Sequence, residues 1–280
     1  MADSAELASG KGHRDENFPV ASFLLKPEHR APVMAFYRFA RLADDIADHE
    51  TVPPAEKLAQ LGLMRAGLDG EPGGTDEAGA LRAVMAARNL DPVHAHDLLT
   101  AFERDCTINR YSDWDGLIDY CRYSAMPVGR YVLDVHGEDR ATWPASDALC
   151  AALQVINHLQ DCGKDYRTLD RVYIPAATFA ATGARIEDLG ADAATPALRA
   201  AIVSLVVPTR ALLDQSAGFS ARITDRRLAA EVAIIHRLAV SLCGRLETRD
   251  PLSERVHHRP WEAAMLATGA AAGSLFRRAA

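Results

Sequence analysis

Cysteine is scarce in this chain, and its five copies, Cys106, Cys121, Cys150, Cys162 and Cys243, are scattered. There is no CxxC pair and no Cys/His cluster at zinc spacing, so a cysteine-based metal site is not expected, and the five read as small core residues of a reducing compartment. Positive charge is also short. Lys and Arg number 31 against 38 Asp and Glu, a formal net charge of -7, so no broad basic surface for nucleic acid is present and no nucleic-acid partner is expected. No run of about 20 uninterrupted apolar residues occurs, which argues against a spanning helix. The opening MADSAELASGKGHRDEN is polar and has no apolar signal core, so a cytoplasmic location is expected. No Gly-rich dinucleotide fingerprint follows a strand. A long Pro/Ser linker, low complexity and an internal repeat are equally missing.

What is present is a helical pattern. Hydrophobic residues make up 49% of 280 positions, enough for a substantial core. Apolar residues recur at three- and four-residue spacing, Ala and Leu are abundant, and alternating β-branched runs are missing, which predicts an all-α protein. Helices are expected at about 28–50, 55–68, 76–90, 93–108, 114–137, 144–168, 195–217, 225–248 and 260–277. TVPP, DGEPGGTD and NLDP mark early turns, and Ser146 of TWPASD is the expected cap of a long helix. Helices this many must bury their stripes against each other, so a single large helical bundle follows. Residues 1–16 form a polar leader and 17–280 the domain.

Two acidic rows stand out against this pattern. ARLADDIADHE places Asp44, Asp45 and Asp48 in an otherwise apolar helix, with Asp44 and Asp48 one turn apart. Alone it reads as a solvated face or as half of a metal or acid/base site. In ALQVINHLQDCGKDYRTLDRVYIP, Asn157, Asp161 and Asp165 follow at i, i+4 and i+8, staying near one face with a drift of about 40° per step, although Leu153, Val155, Ile156 and Leu159 flank them. Opposed rows of oxygen ligands suit Mg²⁺, which is held by a few carboxylates together with substrate phosphates. Arg41 precedes the first row, and Lys164, Arg167 and Arg171 cluster at the end of the second. A metal-clamped diphosphate is a good leaving group, and the carbocation left behind requires a dry, apolar and aromatic-lined cavity.

The rows and their surroundings resemble the squalene/phytoene synthase family, the head-to-head trans-isoprenyl diphosphate synthases. The resemblance runs from ENFPVASFLLKPEHRAPVMAFYRFARLADDIAD to LSERVHHRPW, and LQVINHLQDCGKDYRTLDRVYIP is its most specific part. Within the family the chain is similar to the hopanoid-pathway subgroup that makes hydroxysqualene. ENFPVAS, YCRYSAMPVGR (with Met126 where Asn is expected) and Gln160 before Asp161, where condensing relatives carry Arg, carry that closer match.

The resemblance implies the isoprenoid synthase fold, an all-α bundle around a central apolar cavity. It implies Mg²⁺, two or three ions with diphosphate bound, held by Asp44, Asp48, Asn157, Asp161 and Asp165. Tyr37, Arg41, Gln154 and Tyr173 match catalytic positions, with Arg41 also approaching diphosphate. Asn17, Tyr120, Ala125, Val128, Gly129, Gln160, Lys164 and Arg171 match substrate-binding surroundings. Gln160 removes one cation from the diphosphate site, which favours one preformed presqualene diphosphate over two farnesyl diphosphates. LETRDPLSERV lacks the Tyr that relatives often carry there.

The implied reaction ionises presqualene diphosphate and traps the rearranged cation with water as hydroxysqualene, without NADPH. A presqualene diphosphate synthase upstream and a hydroxysqualene reductase downstream are the implied functional partners. Condensation of two farnesyl or geranylgeranyl diphosphates is the rival enzyme reading. A non-catalytic scaffold is the second rival, and its mark would be eroded acidic rows.

Other residues take plainer readings. His158 lies about 100° off the ligand row and reads as a packing residue. His257 and His258 read as exposed, Arg104 and Asp105 as a local surface pair, and Asp45 equally as a support to the ligands or a solvated carboxylate. The terminal helix PWEAAMLATGAAAGSLFRRAA reads as a cap to the bundle, with peripheral membrane contact as the alternative.

Overall fold

In the computed structural model the described residues are 25–277. Asn17, the whole ENFPVAS segment and the polar N-terminus lie outside them. Thirteen α-helices follow in order: α1 Pro27–Asp48, α2 Pro54–Asp69, α3 Asp76–Arg88, α4 Val93–Asp105, α5 Trp114–Ser124, α6 Met126–Val135, α7 Trp143–Gln160, α8 Cys162–Leu169, α9 Ala176–Thr182, α10 Pro196–Gln215, α11 Phe219–Arg222, α12 Arg226–Thr248 and α13 Pro260–Arg277. No strand forms among the described residues; one isolated bridge joins Arg110 to Val172.

Local chemistry explains most boundaries. Pro sits in the first turn of α1, α2 and α10, where its missing N–H leaves no helical bond unmade. Thr75 caps α3 by accepting from the Ala78 N–H, and Asp113 caps α5 by accepting from the Gly116 N–H. Gly70 ends α2 in the left-handed region at φ 80°.

Three expectations need correction. The helix expected over 114–137 is two, because the chain kinks at Ala125 (φ -123°, ψ -46°) before Pro127 opens α6. The one expected over 144–168 breaks at Asp161 (φ -102°, ψ 8°). Ser146 does not cap α7. The helix begins at Trp143, after a 3₁₀ turn that Asp139 caps, and Ser146 is buried inside its first turns.

α1 packs on α2, α3, α4 and α6, while α7 packs on α5, α6, α10 and α12. α1 carries the first acidic row and α7 begins the second, which runs on through Asp161 into α8, and each of the two turns one face into the core: Phe36, Phe39 and Ile46 from α1, Val155, Ile156 and Leu159 from α7. Each such side chain contributes about 1.5–3 kcal/mol, which fixes the helix axes and so the spacing of what they hold. Gly129 lets α6 approach α7 closely; a Cβ there would lie 2.4 Å from Ser146 Oγ and 2.6 Å from Cys150 Sγ. The stretch Pro196–Arg222 is long and apolar enough by composition to cross a membrane. Its main helix, α10, nevertheless packs on α7, α9 and α12, as a bundle helix does.

Candidate active site

One cavity of about 560 Å³ lies between the two row-bearing helices, and Asp44, Asp48, Asn157, Asp161 and Asp165 all line it. The break at Asp161 does not scatter the second row. The Asp161 N–H still donates to the Asn157 carbonyl at 3.0 Å and the Asp165 N–H to the Asp161 carbonyl at 2.9 Å, so the one-turn spacing survives. Burial and the neighbouring Asp48 push the Asp44 carboxyl up to about 7. Burial and the neighbouring Asp161 push Asp165 to the same value. Asp44 keeps 37% of its side-chain surface, but as a cavity-lining residue it meets the cavity rather than bulk solvent.

Arginines hold the first row. Arg41 Nη1 lies 3.0 Å from Asp44 Oδ2, and Nη2 lies 2.5 Å from Asp45 Oδ1. Asp45 is therefore neither a facing ligand nor solvated: it is buried and anchors Arg41. Arg171 Nη1 donates to Asp48 Oδ1 at 2.5 Å, while Nη2 donates to the carbonyls of Ala47 at 3.1 Å and Asp105 at 3.2 Å. The segment that carries Arg171 is tied down locally. Leu169 ends α8, Asp170 turns left-handed at φ 50°, and the Val172 N–H donates to the Asn109 carbonyl at 2.9 Å.

Beside the carboxylates stands an aromatic wall. The His158 ring stacks on Tyr173 with centroids 3.4 Å apart, and Tyr120 and Tyr111 each lie 5.7 Å from Tyr173. Gln154 Nε2 and His158 Nε2 are 3.1 Å apart. Burial, and then the charge of Arg171, lower the His158 pKa to about 3, so the ring is neutral at physiological pH and offers its π face without a positive charge. His158 packs, as expected, but it packs as part of the cavity wall. The remaining lining is mostly apolar, including Phe36, Phe102, Leu149, Phe219 and Ile235, with Ser124, Ser146 and Glu231 among its polar members.

The other candidate residues divide. Tyr37, Arg41, Tyr120, Val128, Gly129, Gln154, Arg171 and Tyr173 line the cavity. Ala125 marks the kink between α5 and α6 without lining it, and Gly129 serves the contact of α6 with α7 as well as the wall. Gln160 is buried at the end of α7 and Lys164 is exposed on α8; neither belongs to the lining, although the Lys164 charge offsets the rise in Asp165.

Three residues were hidden from sequence reasoning. Asp105 makes no pair with Arg104. Arg104 pairs instead with Asp119 at 3.0 Å and lies over the Tyr123 ring, while Asp105 lines the cavity and accepts from the Tyr120 hydroxyl at 2.9 Å. Burial pushes the Asp105 carboxyl up to about 7 against the opposing pull of Arg171 and Tyr120. Nor are His257 and His258 free on the surface. Both are half-buried; His257 Nε2 lies 3.9 Å from Asp161 Oδ1, and His258 Nε2 lies 3.0 Å from Ser241 Oγ.

The donor set suits a hard cation. Among the described residues no three His, Cys, Asp or Glu side chains converge tightly enough to hold an ion by themselves. Such a site needs further oxygen ligands, and diphosphate supplies them.

The family model for squalene/phytoene synthase matches residues 12–262. The chain is 56% identical to hydroxysqualene synthase of Zymomonas mobilis over 98% of its own length and 93% of that protein's. It is 53% identical to hydroxysqualene synthase of Rhodopseudomonas palustris over 99% and 95%. The crystal structure of a squalene synthase from Alicyclobacillus acidocaldarius superposes with a TM-score of 0.72 at 32% identity, covering 86% of this chain and 90% of that one. With two acidic rows facing one cavity and a family match over most of its length, the chain belongs to the squalene/phytoene synthase family.

Proposed function

We propose that this protein ionises presqualene diphosphate with the help of Mg²⁺ and captures the rearranged cation with water, giving hydroxysqualene and diphosphate in squalene and hopanoid biosynthesis. The observation that carries the reading is the joining of five oxygen ligands, two on α1 and three along α7, the break at Asp161 and α8, to a largely apolar, aromatic-walled cavity. Its likeness to two hydroxysqualene synthases above 50% identity supports the choice of product.

Asp44 and Asp48 on one side, and Asn157, Asp161 and Asp165 on the other, are the residues that would hold Mg²⁺ together with the diphosphate. The ions would neutralise the departing oxygens, lowering the barrier to C–O cleavage. Burial, and then repulsion from a neighbouring carboxylate, raise Asp44 and Asp165, so bound cations would offset a charge the site disfavours. Arg41 and Arg171 reach the diphosphate from the first row, and Tyr37 and Gln154 orient it from the lining. As the C–O bond breaks, its electron pair leaves with diphosphate, and the cyclopropylcarbinyl cation passes to the wall of Tyr120, His158 and Tyr173. The rings stabilise positive charge through their faces without offering a nucleophile that would trap it early. Water then forms the new C–O bond and loses a proton. The reaction involves no net reduction, so it has no need of NADPH.

A cytoplasmic location accompanies this reading, with peripheral membrane contact through α13, where Trp261 and Met265 are exposed. The substrate would come from a presqualene diphosphate synthase and the product would pass to a reductase. Incubation of the purified protein with presqualene diphosphate and Mg²⁺, without NADPH, is expected to release diphosphate and hydroxysqualene, and farnesyl diphosphate alone is expected to give neither. Turnover of farnesyl diphosphate to a condensed product would overturn the assignment.

A further inference from the structure

The reaction needs one water molecule at a cation inside a cavity that must otherwise stay dry. Water in an interior is held by polar atoms with hydrogen-bonding capacity to spare. Asp105 has such an atom. Its Oδ2 accepts from the Tyr120 hydroxyl at 2.9 Å and its main-chain carbonyl accepts from Arg171 Nη2 at 3.2 Å. Its Oδ1 is buried and meets no donor among the described residues. A buried carboxylate oxygen without a donor is costly, so the site favours a donor ligand there.

The position fits the chemistry. Arg171 links Asp105 to Asp48 of the first row, and Tyr120 links it to the aromatic wall, so Asp105 stands where diphosphate departure and cation stabilisation meet. Ser124 Oγ is also buried in the cavity without a partner. A neutral hydroxyl can hold water but cannot take up its proton; of the two carboxylates in the lining outside the metal rows, Asp105 and Glu231, Asp105 is tied through Tyr120 to the aromatic wall where the cation is held.

We propose that Asp105 is the catalytic residue that binds the capturing water through Oδ1 and accepts its proton, an inference that rests on the hydroxysqualene-forming reaction above. The water oxygen donates a lone pair to the cationic carbon. As the C–O bond forms, one O–H bond breaks, its electron pair stays on the new hydroxyl, and the proton passes to Asp105 Oδ1. From there it moves to the released diphosphate. Tyr120 fixes the direction of the carboxylate through Oδ2, and Arg171 holds the main chain that carries it.

The test is product partition in Asp105→Asn, with presqualene diphosphate and Mg²⁺ in ¹⁸O-labelled water. Hydroxysqualene formed per diphosphate released is expected to fall at least about tenfold, with the balance appearing as hydrocarbons from proton loss and alcohols from capture at other carbons. Asp105→Ser, also neutral, should shift the partition in the same direction if Asn distorts α4. Tyr120→Phe keeps Oδ1 in place and should shift it less. An unchanged partition in both Asp105 variants would overturn the role, as would a Tyr120→Phe shift equal to that of Asp105→Asn, since Asp105 would then act only through Tyr120. Wild-type turnover without hydroxysqualene would instead overturn the reaction itself. Wild-type hydroxysqualene with unchanged variant partition removes the role of Asp105 alone.

Discussion

The two acidic rows face one cavity but are built differently. The first lies on one uninterrupted helix and is charge-balanced by Arg41 and Arg171. The second crosses a helix break, and the one ionic contact within 4 Å that Asp161 and Asp165 make among the described residues is with His257, at 3.9 Å. Burial and a neighbouring carboxylate push Asp44 and Asp165 alike up to about 7, so the rows differ less in charge than in support: arginines fix the first and little fixes the second. The first row thus serves as a fixed jaw of the clamp and the second as the jaw that depends on its ligand.

Breaking the second jaw should have the largest effect. Asp161→Asn keeps shape and removes charge from the row with the least compensation. Diphosphate release is expected to fall by about 10³-fold, near 4 kcal/mol of transition-state stabilisation, with a smaller change in melting temperature. Steady-state release of diphosphate from presqualene diphosphate measures it, and near-normal turnover would remove Asp161 from the clamp.

Breaking the first jaw should show up in folding as well as in rate. Arg171 is 8% exposed at its side chain and has three acceptors, on Asp48, Ala47 and Asp105. Arg171→Met retains volume but strands these acceptors, so stability should fall by about 2 kcal/mol, read from urea unfolding without Mg²⁺. Arg171→Lys should recover only part of the loss, because one ammonium cannot reproduce the planar fork that spans Asp48 and Asp105.

Legibility followed the same division. Both rows were readable because ligands one turn apart share a helix face, and the spacing persists even through the break at Asp161. The breaks themselves were not readable. Apolar periodicity runs unbroken through Ala125 and Asp161, since each kink preserves which side of the chain is buried. Asp105 escaped notice because Arg104 beside it suggested a surface pair, and only the packing of α4 against α5 shows that the two side chains diverge. His257 was equally hidden, as its contact with Asp161 depends on how the segment after α12 folds back. Gln160 and Lys164 err in the other direction: proximity in sequence to Asp161 and Asp165 suggested a shared site, but one points into the core and the other to solvent.

Charge in the clamp gives a pH-dependent test. Asp44 and Asp165 rise from 3.8 to about 7 on folding without cations. The folded protein therefore retains protons that the unfolded chain has lost across this interval, and stability from these groups declines as pH rises from about 4 to about 7. Mg²⁺ with inorganic diphosphate should stabilise little near pH 5 and most above pH 7, with a rise in melting temperature of about 5 °C at saturating ligand. Equal stabilisation at both pH values would show that the carboxylates do not titrate with cation binding. Asp161→Asn should reduce the gain above pH 7 by lowering the charge of the clamp.

The smallest effect concerns the weak contact of the second jaw. His257 is 36% exposed at its side chain and 3.9 Å from Asp161, a pair worth about 0–1 kcal/mol. His257→Asn should leave stability nearly unchanged and alter KM for presqualene diphosphate by about fivefold at most. If His257 only shields Asp161, the variant should bind Mg²⁺ with diphosphate slightly more tightly, since a competitor for the carboxylate is gone. If it reaches the diphosphate, KM should rise instead. The direction of that shift, measured beside the rate loss of Asp161→Asn, tells whether the second jaw is completed by protein or closed by cations alone.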